Sequence, residues 1–550
     1  MAPSSTWSSL AAQSISDHEI NLFYETDHGE GSLTFSRGPA TRFGQLAVAV
    51  RDGTLKGMPE RLMPALAERY ADESLFAPCS DLKLGADFYD HIADLASGRR
   101  QDLVKIFSLN EIGRRFLRKG DLYPADAPPE KRMPHRLVLK LSKAATARLV
   151  RAGAMARTYR LAIEDVKVFV FRTRKGITQA RVTVHPEIGG PFSPLELLEV
   201  QVALGRFNEI YWLAHGESVA TDRSKTTLGT LIRAMVLGTH VSTREEGRVS
   251  TWTFMRFDDA VGADDRARMG HYFARHYTSD YILSDHPQGM KEVRDFETVT
   301  HAFALEGACT VVAPDGDDAQ SITPFLVSFK ENTFHRHYVP LKLLLLHEHG
   351  FLVDRTSRSV LTADAEKSAD ATLAKLGDLR RGSLVYRLMY HFLQVSYITM
   401  HNNVSLALRE VLGLDNMLKQ LSTDIAEVEG LFQSLVERRQ ELEERQRSEN
   451  DRRRERRLHF TTVSGAAALV AIAVLQLCEG GFNAFGFDKV AEKYSFIAAA
   501  IVFAASCFVG FLRRPQNLSP VKKLNTFGTD DIGDFTVHAT LEHMLDIDNR

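Results

Sequence analysis

The sequence predicts an α+β soluble region, made of ferredoxin-like or related mixed α/β units, that leads through a long stalk helix into two transmembrane helices. Three observations carry that expectation. Behind a Pro-rich stretch, YPADAPPEKRMP at 123–134, apolar residues alternate between strand and helix periods. From Leu384 to Leu458 the chain has no proline and carries an apolar seam. Two charge-free runs follow, FTTVSGAAALVAIAVLQLC at 460–478 and YSFIAAAIVFAASCFVGFL at 494–512.

The 550 residues are 44% hydrophobic and 25% charged, enough chain for more than one domain and a composition that buries cores. A formal net charge of −2 gives no global attraction to nucleic acid, so none is expected as a partner. Cys79, Cys309, Cys478 and Cys507 lie far apart without a CxxC pair, which favours a reducing cytosol over a disulfide framework or a zinc site. The opening, MAPSSTWSSLAAQS, lacks a basic n-region and an apolar h-region, so no cleaved signal peptide is expected. Residues 1–133 are taken as an N-terminal cytoplasmic region.

Past the Pro-rich boundary, the first unit (134–220) reads strand at 136–142, helix from Lys143, strand at 166–171, turn at 174–176, strand ITQARVTV, helix from Ser193 and strand at 209–213. That β-α-β-β-α-β order is the ferredoxin-like pattern. The second unit (221–383) offers strands near 250–257, 298–305, 310–313 and 322–329, with PDGDD (314–318) as a hairpin turn. The turn lacks the EF-hand spacing, so a solvated turn is expected in preference to a calcium site. GEGSLTFSRG (29–38) lacks the Walker spacing, and no nucleophile elbow or catalytic triad can be assembled, so an enzyme is not expected. FHRHYVPLKLLLLHEHG holds His335, His337, His347 and His349. On a strand, His335 and His337 would share a face and could bind a metal; on a helix they point nearly opposite ways, which suits helix-end, interface or pH-sensing roles.

The stalk (384–458) carries Val411, Leu414, Leu418, Leu421, Ile425, Val428, Phe432 and Leu435 in steps of three and four, with Leu442 after a break. More than four heptads of this kind indicate a long packed helix, and about 70 residues at 1.5 Å each give a rod of roughly 100 Å. Its end turns basic at Arg452, Arg453, Arg454, Arg456 and Arg457.

Each charge-free run has 19 residues, close to the ~20 that cross a bilayer. Basic residues flank the pair outside, with Arg513 and Arg514 after the second run, while the loop at 479–493 carries two lysines offset by three acids. The positive-inside rule then puts both termini, including a tail at 515–550, in the cytoplasm of a bacterial-type inner membrane, and CEGGFNAFGF at the outer face. Stepping back from Asn483 by two helical turns gives Gln476, Leu469 and Thr462, with Glu479, Ile472 and Gly465 on the same broad face. Two helices per chain cannot enclose a hole, so if that stripe lines a pore the protein is a homo-oligomer. The alternative is a pore-less two-span anchor, for an enzyme or scaffold, in which Gln476 bonds a neighbouring helix.

A large cytoplasmic part, a stalk helix, two C-terminal spans and Gly481-Phe482-Asn483 after the first span resemble the CorA family of divalent-cation transporters, whose signature there is Gly-Met-Asn. The resemblance covers about Leu384 to Arg514. It implies a pentamer whose first spans line the pore, with Asn483 meeting a hydrated ion, Gly481 allowing a tight turn and Phe482 packing behind. Mg2+ or another cation would be the permeant or regulatory ion, and no covalently bound cofactor is implied. A ring of neutral carbonyl oxygens suits a hard cation that sheds water reluctantly. Phe482 in place of Met, Glu479 as an added carboxylate and the loop AFGFDKVAEKY depart from the family pattern. They leave a second reading, similar to the CorA-like proteins attached to some bacterial immune systems: an effector opened by a small nucleotide ligand bound in the enlarged soluble region.

Overall fold

The structure is a computed structural model, which describes residues 13–27, 33–34, 38–39, 41–51, 70–79, 87–119, 135–155, 157–173, 175–205, 209–214, 226–238, 249–281, 288–314, 323–364, 369–484, 497–505 and 508. The chain divides into two compact units, Met1–Ser359 with Asp378–Asp424, and Val360–Gly377 with Ile425–Arg550.

The first unit is α+β and is built on one 12-stranded mixed sheet. In chain order its strands are β1 (Ile15–Asp27), β2 (Phe76–Pro78), β3 (Val104–Leu109), β4 (His135–Leu139), β5 (Tyr159–Phe171) and β6 (Lys175–Pro186). They continue with β7 (Glu209–Ala214), β8 (Thr226–Thr227), β9 (Ser250–Phe257), β10 (Lys291–Phe296), β11 (Val299–Phe303) and β12 (Gly307–Val312). Across the sheet the order is β8-β7-β4-β5-β6-β1-β9-β12-β11-β10, and β2 and β3 branch from β5. Among these pairs only β9 and β12 run parallel, from Thr251 beside Gly307 to Arg256 beside Val312.

This pairing corrects the expected topology. The β-α-β-β-α-β order is present, yet β4 pairs directly and antiparallel with β5, and β7 with β4. A ferredoxin-like sandwich instead splits each β-α-β unit around another strand. The order 7-4-5-6 is that of a Greek key. Nor do boundaries at 133 and 220 divide the sheet. The N-terminal strand β1 is its centre, with Ile20 opposite Val182 of β6 on one side and Thr253 of β9 on the other. Long-range pairing of this kind leaves no local trace in the sequence.

The helices of this unit begin with α1 (Phe43–Arg51), α2 (Asp90–Ser97), α3 (Glu111–Lys119), α4 (Lys143–Arg151), α5 (Pro194–Gly205), α6 (Leu228–Leu237), α7 (Ala263–Arg275) and α8 (Pro324–Phe329). α5 is buried from Pro194 to Leu204, as befits a helix apolar on nearly every side. Its polar members are all bonded. Glu196 pairs with Arg157 at 2.7 Å, Glu199 with Arg148 at 2.7 Å, and Gln201 donates to Phe273 O at 2.7 Å. Residues 322–329 were expected as a strand; α8 occupies Pro324–Phe329 because Thr323 caps Leu326 N and Pro324 sits at the first helical turn. Of the PDGDD turn only Pro314 lies within the described residues.

A π-helix, Lys330–Tyr338, runs from α8 into α9 (Val339–Asp364). It lays Phe334 on Trp252 (ring centroids 5.3 Å), and Lys342 of α9 reaches Thr251 O and lies over the Phe23 and Trp252 rings. Side chains alternate along a strand, so β1 sends Ile20 and Leu22 into the core shared with α5 and turns Glu19 and Phe23 toward the π-helix and α9.

The stalk also differs from expectation. Leu384–Leu458 is three helices: α10 (Ala369–Met389), α11 (Thr399–Val411) and α12 (Leu414–Ala484). After α10, Asn402 Oδ1 accepts from Val395 N at 2.9 Å and Ser396 N at 3.1 Å, which satisfies backbone donors without a helix. Gly413, at φ 64°, takes the left-handed conformation that ends α11. Beyond it the seam is real: Leu414, Leu418, Leu421 and Ile425 are buried.

Candidate functional site

α12 carries the residues expected from the sequence to form the first span. Its 71 residues run without interruption from Leu414 through Ala484. Gln440–Val474 is long and apolar enough to cross a membrane, by length and composition alone. The second run is described only at residues 497–505, which are helical, and at 508. Arg513 and Arg514 lie outside the described residues.

Thr462, Leu469 and Gln476 are exposed side chains on this helix, seven residues apart, and therefore along one stripe. Thr462 Oγ1 donates to Leu458 O at 2.7 Å, so its hydroxyl is satisfied without leaving the helix. Ala467 and Ala471 are buried at a spacing of four, as is Ala499 in the 497–505 segment. Small residues at that spacing allow close helix packing. By contrast Leu458, Phe460 and Leu477, off that stripe, are each about two-thirds exposed or more, an apolar surface that water does not favour. Arg452, Arg453, Arg454, Arg456 and Arg457 form an exposed cationic collar one turn before that surface.

Glu479, Gly481, Phe482 and Asn483 have helical backbone inside α12. The tight turn expected at Gly481 is therefore absent. The helix continues past the apolar run because no residue in CEGGFNA forces a left-handed or proline-fixed backbone.

His335 and His337 do not converge on a shared metal. His335 Nε2 lies 3.3 Å from Glu19 Oε2, whereas His337 Nε2 lies 3.4 Å from Asp87 Oδ2 and its ring stacks on His401 at 4.5 Å. Among the described residues no group of three or more His, Cys, Asp or Glu side chains is placed to hold a metal ion. Burial would raise Glu19, but the His335 hydrogen bond and the charges of His335, Arg181 and Lys330 outweigh it and lower the carboxyl to about 2.

Sequence reasoning missed the group at the start of α12. Arg409 of α11 is 1% exposed. It bonds Glu348 of α9 at 2.8 and 3.3 Å and Asp415, in the first turn of α12, at 2.6 Å. His391 Nδ1 is 2.7 Å from Glu348 Oε1 and 3.1 Å from Arg409 Nη2. The available signal was an arginine in the mostly apolar run VSLALREVLGL, where an unpaired buried charge would be costly. This arrangement fixes the beginning of α12 to α9 and α11 through one guanidinium. Chemically, α12 offers uncharged oxygen ligands on a stripe, and the network offers a charged anchor for its first turn. No family model, curated protein or solved structure matches the chain.

Proposed function

We propose that the protein is a CorA-like oligomeric membrane channel that passes Mg2+ or another cation, with both termini cytoplasmic and the sheet-bearing unit controlling the pore. The observation that carries this reading is the exposed stripe Thr462, Leu469 and Gln476 on a single helix, a seven-residue spacing that Asn483 continues in the sequence. Lipid would cover the apolar side chains, and neighbouring copies would turn the polar stripe toward a shared aqueous path. Neutral amide and hydroxyl oxygens on such a path hold a hydrated divalent cation without trapping it. The arginine collar gives the cytoplasmic edge of the span its positive-inside anchor.

Flux into liposomes containing a Mg2+ indicator tests the reading. The wild-type chain is expected to admit Mg2+, and the Gln476→Ala/Asn483→Ala variant to change that flux by about tenfold, because the polar ligands of the stripe are gone. No flux, or equal flux from both proteins, rejects the channel and favours a pore-less anchor.

A further inference from the structure

The C-terminal half of α10 wears its apolar residues on the wrong side. Leu379, Tyr386 and Tyr390 are buried, yet Leu384, Val385 and Leu388 on the opposite face are exposed, Leu388 by 69%. The chain that follows adds Leu393, Tyr397 and Ile398, with Tyr397 72% exposed. Monomeric proteins rarely leave such a continuous apolar face uncovered, because a largest patch is commonly about 300–600 Å². Six large apolar side chains, from Leu384 to Ile398, are thus left open to a partner, and stable complexes bury roughly 800 Å² on each side.

We propose that this face docks a second copy of the chain. Its rim carries both signs. Arg381 and Arg387 are exposed at the α10 end, and Asp90 is exposed beside Tyr89, whose ring meets Tyr397 at 4.4 Å. None of the three charges forms an ion pair among the described residues. A surface with a cationic end and an acidic end is complementary to another of its own kind, so a copy supplies both the apolar cover and the missing countercharges. A foreign partner would have to reproduce both. The contact lies wholly in the soluble part of the chain and does not depend on a pore.

Photo-crosslinking of the full-length protein in detergent tests this, with p-benzoylphenylalanine at position 388 or 397. The expected product is a covalent adduct of two copies. Arg387→Glu and Asp90→Arg are each expected to cut its yield about threefold, and the combined reversal to restore it, since paired charges fix register across an interface. Adducts within one chain, adducts to lipid or to another protein, no adduct, or a double variant no better than the single ones would overturn the contact. Adducts without ion flux leave this contact standing and remove the channel, while flux without adducts does the reverse.

Discussion

Arg409→Leu is expected to destabilise the first unit by about 3–5 kcal/mol, the usual cost of removing one partner from a buried ion pair. The guanidinium is almost wholly enclosed, and its loss leaves Glu348, 2% exposed at the side chain, with only the uncharged Tyr386 and the His391 ring beside its carboxylate among the described residues. Asp415 also loses its 2.6 Å bond, so the first turn of α12 is released from α9 and α11. Urea unfolding in detergent, followed by the emission of the buried Trp252, measures the change. The double variant Arg409→Leu/Glu348→Gln is expected to recover much of the loss, because the stranded charge is then gone as well. A single variant as stable as wild type would mean that the network does not hold α12.

The second large effect is acid instability. Burial, with His185 nearby, lowers His18 from 6.5 to about 4, and burial alone lowers His301 to about 3. His18 Nε2 accepts from Val184 N at 3.1 Å, and His301 Nδ1 lies 2.9 Å from Thr310 Oγ1, so both rings are held neutral by their surroundings. Above about pH 6.5 neither state takes a proton and stability is level. Between 6.5 and about 4 the unfolded chain binds protons that the folded chain refuses, and each ring then removes about 1.4 kcal/mol per pH unit. Together they are expected to lower the unfolding free energy by about 4 kcal/mol from pH 7 to pH 5. His301→Gln should reduce the slope in that window by one proton, whatever it does to absolute stability. A flat profile would contradict the neutral, dry placement of both rings.

What could be read from the sequence follows the range of the interactions. Strand β9 and the start of α4 at Lys143 were legible because hydrophobic periodicity is a local signal. The place of β1 between β6 and β9 was not, since its pairing depends on residues about 160 and 230 positions away. The strand expected at 322–329 failed because capping at Thr323 overrode the β-branched composition. Along α12, the seven-residue spacing of Thr462, Leu469 and Gln476 can be read from the residues themselves. The Arg409 network was hidden, because its members come from α9, the segment between α10 and α11, α11 and α12, and the apolar run around Arg409 does not say which acids meet it.

Single cysteines placed at each position from 459 to 479 and exposed to a charged thiol reagent test the central claim most directly. Water in a pore walled by several copies of α12 predicts rapid modification at 462, 469 and 476, with slow modification at the buried positions 467 and 471. Uniform protection along the helix, or modification without any seven-residue period, would contradict it.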